Sequence, residues 1–274
     1  MTHFEEKTRK IEKIMTDLSD YLIHTIYTEK FMDKLKHVSD GRLISAIAET
    51  EMAIPVLTRW CMHSKICLEY EIVMDIPNSR SMYDVAFVSK KDPSIFIPCN
   101  IKVSSFKYND NLNCQNILDF ITSGNIPDKS PQNKKYMYEH ALSINQNQNF
   151  NEPIDYYFIC INKDDMEKSF YTSLLTIKEL YPNASNLVQC NWAKNYQIGR
   201  TSLFEVTEDD IKEDLKRGLA PREYRSYEDS IEYIFQNYKE CYKMKELQNK
   251  QSVKILDEQY KASEHVKELI YDRN

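Results

Sequence analysis

Polar side chains take every second position of one apolar segment, "IPCNIKVSS" (97–105), at Asn100, Lys102 and Ser104. Because successive side chains of a β-strand point to opposite faces, this pattern predicts one polar face on an otherwise apolar strand. A buried ammonium is costly unless it is paired. Lys102 is therefore expected to meet either solvent or a carboxylate.

The preceding segment, "MYDVAFVS" (82–89), has the pattern of a second strand and offers that carboxylate at Asp84. The sequence between the two strands, "KKDPS" (90–94), is typical of a turn. A hairpin symmetrical about Asp92 places Asp84 opposite Asn100, because the two residues are equidistant from Asp92. The sequence thus predicts an Asp, an Asn and a Lys side chain at one end of a hairpin.

A second carboxylate interrupts an apolar stripe on the helix predicted before the strands. The stripe follows the spacing i, i+3, i+4, i+7 and comprises Ile44, Ile47, Ala48, Glu51 and Ile54. Glu51 is thus expected on the inward face of an amphipathic helix, where it needs a cationic partner. Glu49 points elsewhere on this pattern and is the second choice.

These side chains would suit a magnesium site. Asp84, Asn100 and Glu51 offer the hard oxygen ligands that Mg²⁺ prefers, and a bound Mg²⁺ stabilises charge on a phosphoryl oxygen and lowers the pKa of a bound water. Lys102 beside that water would orient it. Taken singly, Lys102 is also explained as a solvated strand lysine and Asn100 as a structural amide, but the four residues together favour the site.

The stretch "YDVAF…IPCNIKVSS" resembles the active-site hairpin of the PD-(D/E)XK nuclease superfamily, whose signature is an Asp, a spacer and then acid–any–Lys in an apolar strand. Asp84 matches the first Asp and Lys102 matches the Lys. Asn100 stands where the usual residue is Asp or Glu, a variant carried by a minority of type II restriction endonucleases. Tyr83 replaces the nominal Pro. The resemblance covers roughly residues 40–122.

The resemblance implies an α/β fold with a restriction-endonuclease-like core, in which helices flank a mixed central β-sheet and further helices are added at both termini. It implies a Mg²⁺-dependent type II restriction endonuclease that hydrolyses phosphodiester bonds in double-stranded DNA at a specific sequence. A homodimer and a companion DNA methyltransferase are the expected partners. Two alternatives stay open: a non-catalytic DNA-binding or assembly protein on the same fold, and a structure-selective DNA repair or recombination nuclease.

Two polar segments, 106–150 and 188–203, are candidates for DNA contacts under this interpretation. Asn can pair bidentately with adenine and Arg or Lys with guanine, while lysines meet phosphates. The candidates are Ser104, Lys107, Asn109, Asn111, Asn113, Lys134, Lys135, Lys194, Asn195 and Arg200.

Composition narrows the remaining function classes. The net charge of −6 disfavours a protein that coats nucleic acid but leaves room for a site-limited DNA enzyme. The seven cysteines form no CxxC pair, which favours reduced thiols in a cytoplasmic protein over a disulfide framework or a zinc site. The N-terminal sequence lacks the apolar core of a signal peptide, and no apolar run suits a membrane helix.

The elements that must position the site are predicted from periodicity. We expect a single domain over 1–274, with a nuclease core at about 40–200 and helical flanks at 1–38 and 207–274. Expected helices cover 4–38, 43–54 with an extension to about 67, 111–124, 207–218 and the segment from 227 onward. Expected strands cover 68–76, 82–89, 95–105 and 154–163, with 186–197 either a strand or a loop and 125–151 a long surface loop.

Overall fold

The computed structural model describes residues 3–31, 33, 47–77, 83–112, 155–177, 180–183, 187–198 and 227–271. Across this part of the chain a five-stranded sheet separates two apolar cores. Helices from the N-terminal part of the chain cover one face, and a three-stranded sheet with two later helices covers the other. The predicted α/β class, with a mixed central sheet flanked by helices, is confirmed.

The bounds of the elements are as follows. In chain order the strands are β1 (Ile72–Asp75), β2 (Val85–Ser89), β3 (Phe96–Ser104), β4 (Asp110–Asn111), β5 (Tyr157–Asn162), β6 (Phe170–Ser173), β7 (Leu180–Asn183) and β8 (Leu187–Cys190). The α-helices are α1 (His3–Thr28), α2 (Ile54–His63), α3 (Lys65–Tyr70), α4 (Trp192–Ile198) and α5 (Tyr227–Tyr271). A π-helical turn (Ala48–Ala53) precedes α2, and 3₁₀ turns occupy Met166–Lys168 and Leu174–Thr176.

The central sheet has the order β1-β2-β3-β5-β6. β1, β2 and β3 pair antiparallel in succession, β3 then pairs parallel with β5, and β6 returns antiparallel to β5. Every residue of β5 is buried, as expected for an internal strand with both faces covered. The second sheet has the order β4-β8-β7.

The first core lies between the central sheet and α1, α2 and α3. The apolar residues at helical spacing along α1 are all buried: Ile11, Ile14, Met15, Leu18 and Leu22. Asp17 ties α1 to the next helices by accepting hydrogen bonds from Trp60 Nε1 at 2.8 Å and from Ser64 Oγ at 2.7 Å. α1 is therefore an integral part of the core-forming layer rather than an appendage to it.

The second core is aromatic and lies on the opposite face of the sheet. Phe158 of β5 and Phe170 of β6 meet Trp192 at the start of α4, with ring centroids 5.4 and 6.4 Å apart. Ile234 and Cys241 from the first part of α5 are also buried in this core. The polar face predicted for β3 lies on this side of the sheet.

The strand predicted at 68–76 is wrong in its first part, because residues 65–70 form α3. Ser64 caps this helix by accepting a hydrogen bond from Ile66 N at 3.2 Å. Glu71 then adopts a left-handed conformation with φ of 50° and ends the helix. The segment 68–76, whose alternation predicted one strand, therefore contains the end of α3 followed by β1.

Pro98 lies in β3, which is an internal strand of the sheet. Residues 96–98 pair only with β2, and the pairing with β5 begins at Cys99. The missing N–H of Pro98 thus falls where β3 still has one neighbour, so the proline removes no bond to β5.

Other predicted elements have mixed outcomes. The helix expected over 4–38 is described as α1 to residue 28, and the helix from 227 onward is confirmed by α5. The segment 186–197 contains both β8 and α4. The helix predicted at 111–124 is wrong at Asn111, which belongs to β4. Residues 113–124, the 125–151 loop and the 207–218 helix lie outside the described residues.

Candidate active site

The β2–β3 hairpin has the register predicted from its symmetry about Asp92. Val85 pairs with Cys99 and Val88 with Phe96, and Asp84 N continues the ladder by donating to Cys99 O at 3.0 Å. The turn itself is fixed by Asp92 Oδ1, which accepts hydrogen bonds from the backbone N and the Oγ of Ser94. The predicted approach of Asp84 to the Asn100–Lys102 region is confirmed.

The polar and apolar residues of β3 separate onto the two faces of the sheet, as alternation requires. Its apolar members pack into the first core: Ile97, Cys99, Ile101 and Val103. Asn100 and Lys102 point to the other face, where their register partners on β5 are Phe158 and Cys160. The polar face of β3 is thus covered in part by the second layer and is not a simple solvent face.

Asp84 is half-buried and its carboxylate is held by the backbone of β3. Its Oδ2 accepts a hydrogen bond from Ile101 N at 2.7 Å. Burial raises the pKa of the Asp84 carboxyl, and the hydrogen bond from Ile101 N and the nearby charge of Lys102 both oppose that rise. The carboxylate is therefore fixed in place, partly desolvated and close enough to Lys102 to feel its charge.

Asn100 is only 7% exposed, and its Oδ1 is fully buried with no hydrogen-bond partner among the described residues. Leaving a buried carbonyl oxygen unsatisfied costs about 1–3 kcal/mol. Such an oxygen in a native fold calls for an explanation, and an ion or an ordered water is one. The register of the hairpin makes Asn100 the cross-strand neighbour of Asp84, on the same face of the sheet.

Lys102 is half-buried, and its ammonium makes no hydrogen bond or ion pair within the described part of the chain. Its charge acts on Asp84 on one side and on the buried thiol of Cys160 on the other. Lys102 therefore lies close enough to an acid, Asp84, for the two charges to interact, as expected. Its amine remains available to a group that enters the site.

Glu51 does not occupy the inward position expected from the apolar stripe, because its side chain is exposed. It makes no hydrogen bond or ion pair with any residue in the described ranges. The physical reason is the π-helical turn, whose i→i+5 bonds rotate side chains away from the spacing of an α-helix. Ala48, Met52 and Ala53 are buried instead. The Glu49 side chain lies outside the described part.

Tyr83 anchors the backbone immediately before Asp84. Its ring is buried in the second core, edge-on to Phe96 at 6.1 Å, and its hydroxyl donates to Asp75 Oδ2 at 3.0 Å. Burial, followed by the Asp75 contact, raises the pKa of Tyr83 to about 12. Tyr83, which stands in place of the nominal Pro, therefore fixes the backbone at the start of β2.

Asp110 is an acid that the sequence analysis missed. Its Oδ2 accepts a hydrogen bond from Trp192 Nε1 at 3.0 Å and its Oδ1 one from Asn111 N at 2.9 Å. Burial raises the pKa of the Cys160 thiol, the Asp110 charge raises it further, and the Lys102 charge lowers it. Asp110 and Lys102 thus approach the same thiol from different elements. The available sequence signal for Asp110 was its position between two amides, in "NDN" (109–111).

The two segments predicted to contact DNA come together in the described part through the pairing of β4 with β8. Asp110 pairs with Cys190 and Asn111 with Gln189. Side-chain hydrogen bonds cross the same junction, from Gln189 Nε2 to Asn111 Oδ1 at 2.8 Å and from Asn191 Nδ2 to Asn109 Oδ1 at 3.2 Å. The amides therefore form one polar surface at the second sheet.

The remaining DNA-contact candidates are placed less uniformly. Lys107 is exposed and pairs with Asp164 at 2.6 Å, and exposed Lys194 donates to the Tyr181 hydroxyl at 2.5 Å. Ser104 is half-buried and accepts a hydrogen bond from Phe106 N. Asn195 is 3% exposed and donates to Asn191 O, which does not fit a direct base contact. Asn113, Lys134, Lys135 and Arg200 lie outside the described residues.

The sequence matches no protein-family profile and no curated protein. Within the described ranges, none of the helices has the length and apolar character needed to cross a membrane. The function must therefore be argued from the geometry of Asp84, Asn100 and Lys102.

Proposed function

We propose that this chain is a Mg²⁺-dependent endonuclease of the type II restriction class, which hydrolyses phosphodiester bonds at a specific sequence of double-stranded DNA. The observation that carries the proposal is the buried Oδ1 of Asn100, which has no hydrogen-bond partner among the described residues and lies beside the fixed carboxylate of Asp84. The antiparallel hairpin followed by a parallel strand is compatible with a restriction-endonuclease-like core.

The residues present fit a magnesium ion. The Asp84 carboxylate and the Asn100 amide oxygen are hard donors, and Mg²⁺ is commonly bound through one or two protein oxygens with waters and substrate phosphates completing its shell. When bound, the ion would supply charge stabilisation to the phosphoryl oxygen and acidify a water. A cation would stabilise the charge of the partly desolvated Asp84 carboxylate and would give the buried Asn100 oxygen a partner.

Lys102 would act on the water that attacks phosphorus. Its ammonium can donate a hydrogen bond to that water and orient it in line with the scissile P–O bond. The water oxygen would form the new P–O bond as the bond to the leaving oxygen breaks. The attacking water would lose a proton to solvent, and the leaving oxygen would take up a proton from solvent. Asn109 and Asn111 on the β4–β8 surface would contact the bases or sugar–phosphate edges of the duplex.

The test is a sequenced digest of mixed-sequence double-stranded DNA with Mg²⁺. The native chain is expected to give discrete fragments with a common end sequence, and EDTA is expected to abolish them. Lys102→Ala is expected to lower the rate about 10²–10⁴-fold, while Lys90→Ala, an exposed lysine in the same hairpin, is expected to leave it unchanged. A Lys102→Ala chain that still cuts at the native rate would contradict the proposal.

A second candidate is a non-catalytic DNA-binding or assembly protein on the same fold. The observation that favours it is the amide at Asn100, together with the lack, among the described residues, of any group of three or more His, Cys, Asp or Glu side chains that could hold a metal. DNA binding that is insensitive to EDTA, without cleavage under any divalent cation, would support it. Fragments from branched rather than linear DNA would indicate a structure-selective nuclease.

A further inference from the structure

Two thiols meet at the junction of α2 and α3. Cys61 lies in the last turn of α2, Cys67 lies in the first turn of α3, and Ser64 is the single residue between the two helices. A hydrogen bond joins the two cysteine side chains. Both are reduced thiols in this structure. The pair is therefore a dithiol whose sulfur atoms are already in contact.

The junction that carries this dithiol is fixed by hydrogen bonds. Ser64 N donates to Trp60 O at 2.8 Å, and Leu68 N donates to Ser64 O at 3.1 Å, so each helix is bonded directly to the residue between them. Asp17 of α1 accepts further hydrogen bonds from Trp60 Nε1 and Ser64 Oγ. The fold thus holds the two sulfur atoms together, which favours a disulfide because the geometry of that bond is narrow.

The two thiols differ in their access to solvent. Cys61 is the one cysteine that is not fully buried among the six that the structure describes. Cys67 is 2% exposed and belongs to the first core, against which Cys61 packs. A reagent in solution therefore reaches Cys61 first, and Cys67 lies ready to react with whatever group Cys61 then carries. An accessible thiol beside a buried resolving thiol is typical of redox-sensitive pairs.

Each thiol alters the acidity of the other. The hydrogen bond with Cys67 lowers the pKa of the Cys61 thiol, and burial opposes that change. The same contact, followed by burial, raises the pKa of the Cys67 thiol. Because the thiolate is the nucleophile, Cys61 is the more reactive of the two. Once Cys61 is part of a neutral mixed disulfide, its negative charge no longer holds the proton on Cys67.

We propose that Cys61 and Cys67 form a reversible disulfide by exchange with a low-molecular-weight disulfide such as oxidised glutathione. Cys61 loses its proton to solvent and attacks one glutathione sulfur, the S–S bond of glutathione breaks, and the first glutathione thiolate leaves and takes up a proton. Cys67 then loses its proton to solvent and attacks the Cys61 sulfur, and the second glutathione leaves in the same way. Two protein thiols are oxidised, and one oxidised glutathione is reduced to two thiols.

The dithiol is separate from the candidate active site. Asn100 and Lys102 point to the face of the central sheet that bears the second core, whereas Cys61 and Cys67 lie with the first core. Exchange at the dithiol is thus independent of the proposed nuclease activity. It also agrees with the reduced thiols expected from the sequence, because the disulfide forms only as oxidised glutathione accumulates.

The first test is a non-reducing peptide map of the full chain after treatment with oxidised glutathione and alkylation of the remaining thiols. Trypsin separates the two cysteines by cleaving after Lys65, which gives peptides 60–65 and 66–80. The native chain is expected to yield these two peptides linked to each other, and an excess of reduced glutathione is expected to release them. A native chain in which Cys61 carries glutathione without the link, or in which both thiols stay unmodified, would overturn the proposal.

Three variants separate the roles of the thiols, with circular dichroism to establish that each keeps its helix content. Cys67→Ala is expected to stop at the mixed disulfide, so that peptide 60–65 carries glutathione. Cys61→Ser is expected to slow the oxidation of Cys67 at least about 10-fold, because burial keeps that thiol protonated and out of reach. Cys241→Ala, which removes a buried thiol from the second core, is the matched control and is expected to form the link at the native rate. A Cys67 that is oxidised at the native rate in Cys61→Ser would contradict the assigned order.

The second test measures the linked fraction of the native chain at equilibrium in mixtures of reduced and oxidised glutathione. Two reduced glutathione molecules are released for each disulfide formed. At fixed oxidised glutathione, a twofold increase in reduced glutathione is therefore expected to lower the ratio of linked to unlinked chain about fourfold. A decrease of only about twofold would indicate a mixed disulfide as the final product, and a linked fraction that does not respond would indicate a structural disulfide. Either result would overturn the proposal.

Discussion

At the scale of single residues, the candidate site consists of three side chains, each of which is held in an energetically unfavourable environment. Asp84 is a carboxylate held in a partly desolvated position by Ile101 N, and Asn100 has a buried oxygen without a partner in the described chain. Lys102 has a half-buried ammonium whose charge opposes the rise in the pKa of Asp84. Each feature is unfavourable alone, and a cation with a phosphate would satisfy all three, which is the usual sign of a functional site.

The pH dependence of cation binding follows from Asp84. Because burial raises the pKa of this carboxyl, the charged form appears only as the pH rises through that raised value, and cation affinity rises with it. Lys102→Met removes a charge that lowers this pKa, so the acidic limb of Mn²⁺ binding is expected to move to higher pH. A Mn²⁺ titration over pH checks this, with Lys90→Met as the control. An unmoved limb in Lys102→Met would show that the two groups are not coupled.

Asn100→Leu separates stability from function. The change removes a buried oxygen that has no partner in the described part of the chain, so the free energy of unfolding is expected to rise by about 1–3 kcal/mol while Mn²⁺ binding is lost. Asn111→Leu is the opposite control, because its Oδ1 is already satisfied by Gln189 Nε2 and the change leaves that donor unpaired. It is expected to cost about 1 kcal/mol. Urea unfolding measures both, and a destabilised Asn100→Leu chain would argue that this oxygen has a partner.

At the scale of elements, the hairpin was predictable from sequence because its determinants are local. Alternation fixes the faces of β2 and β3, and the Asp92–Ser94 contacts fix the turn between them. Glu51 was not predictable, since the π-helical turn that exposes it has no sequence signal in the i, i+3, i+4 pattern. Asp110 was missed because its position depends on β4 pairing with β8, about 80 residues later.

The junction between α3 and β1 offers a prediction of its own. Glu71 ends α3 with a φ of 50°, a conformation that costs a non-glycine residue about 1 kcal/mol or more. Glu71→Gly is therefore expected to raise the free energy of unfolding by ~1 kcal/mol. Glu69→Gly, inside the same helix and also exposed, is expected to lower it by ~1 kcal/mol. Thermal unfolding measures the pair, and equal effects of the two changes would contradict the left-handed cap.

At the scale of the whole molecule, the central sheet separates a helical layer that supports the fold from a layer that surrounds the site. α1, α2 and α3 pack one face into an apolar core, while the face bearing Asn100 and Lys102 meets the second sheet and α4. Composition and periodicity predicted the α/β class, because burial patterns are visible in sequence. They could not predict the second sheet, whose short strands join distant segments.

The most direct test of the account is a Mg²⁺-dependent DNA digest of the native chain beside its Asn100→Asp variant. The account predicts that the native chain gives discrete fragments, because the Asn100 oxygen serves as a donor next to Asp84. The variant is expected to bind Mg²⁺ more tightly, since it adds a carboxylate to the same site. An inert native chain with a variant that cuts would show that the amide marks a lost activity and would contradict the account.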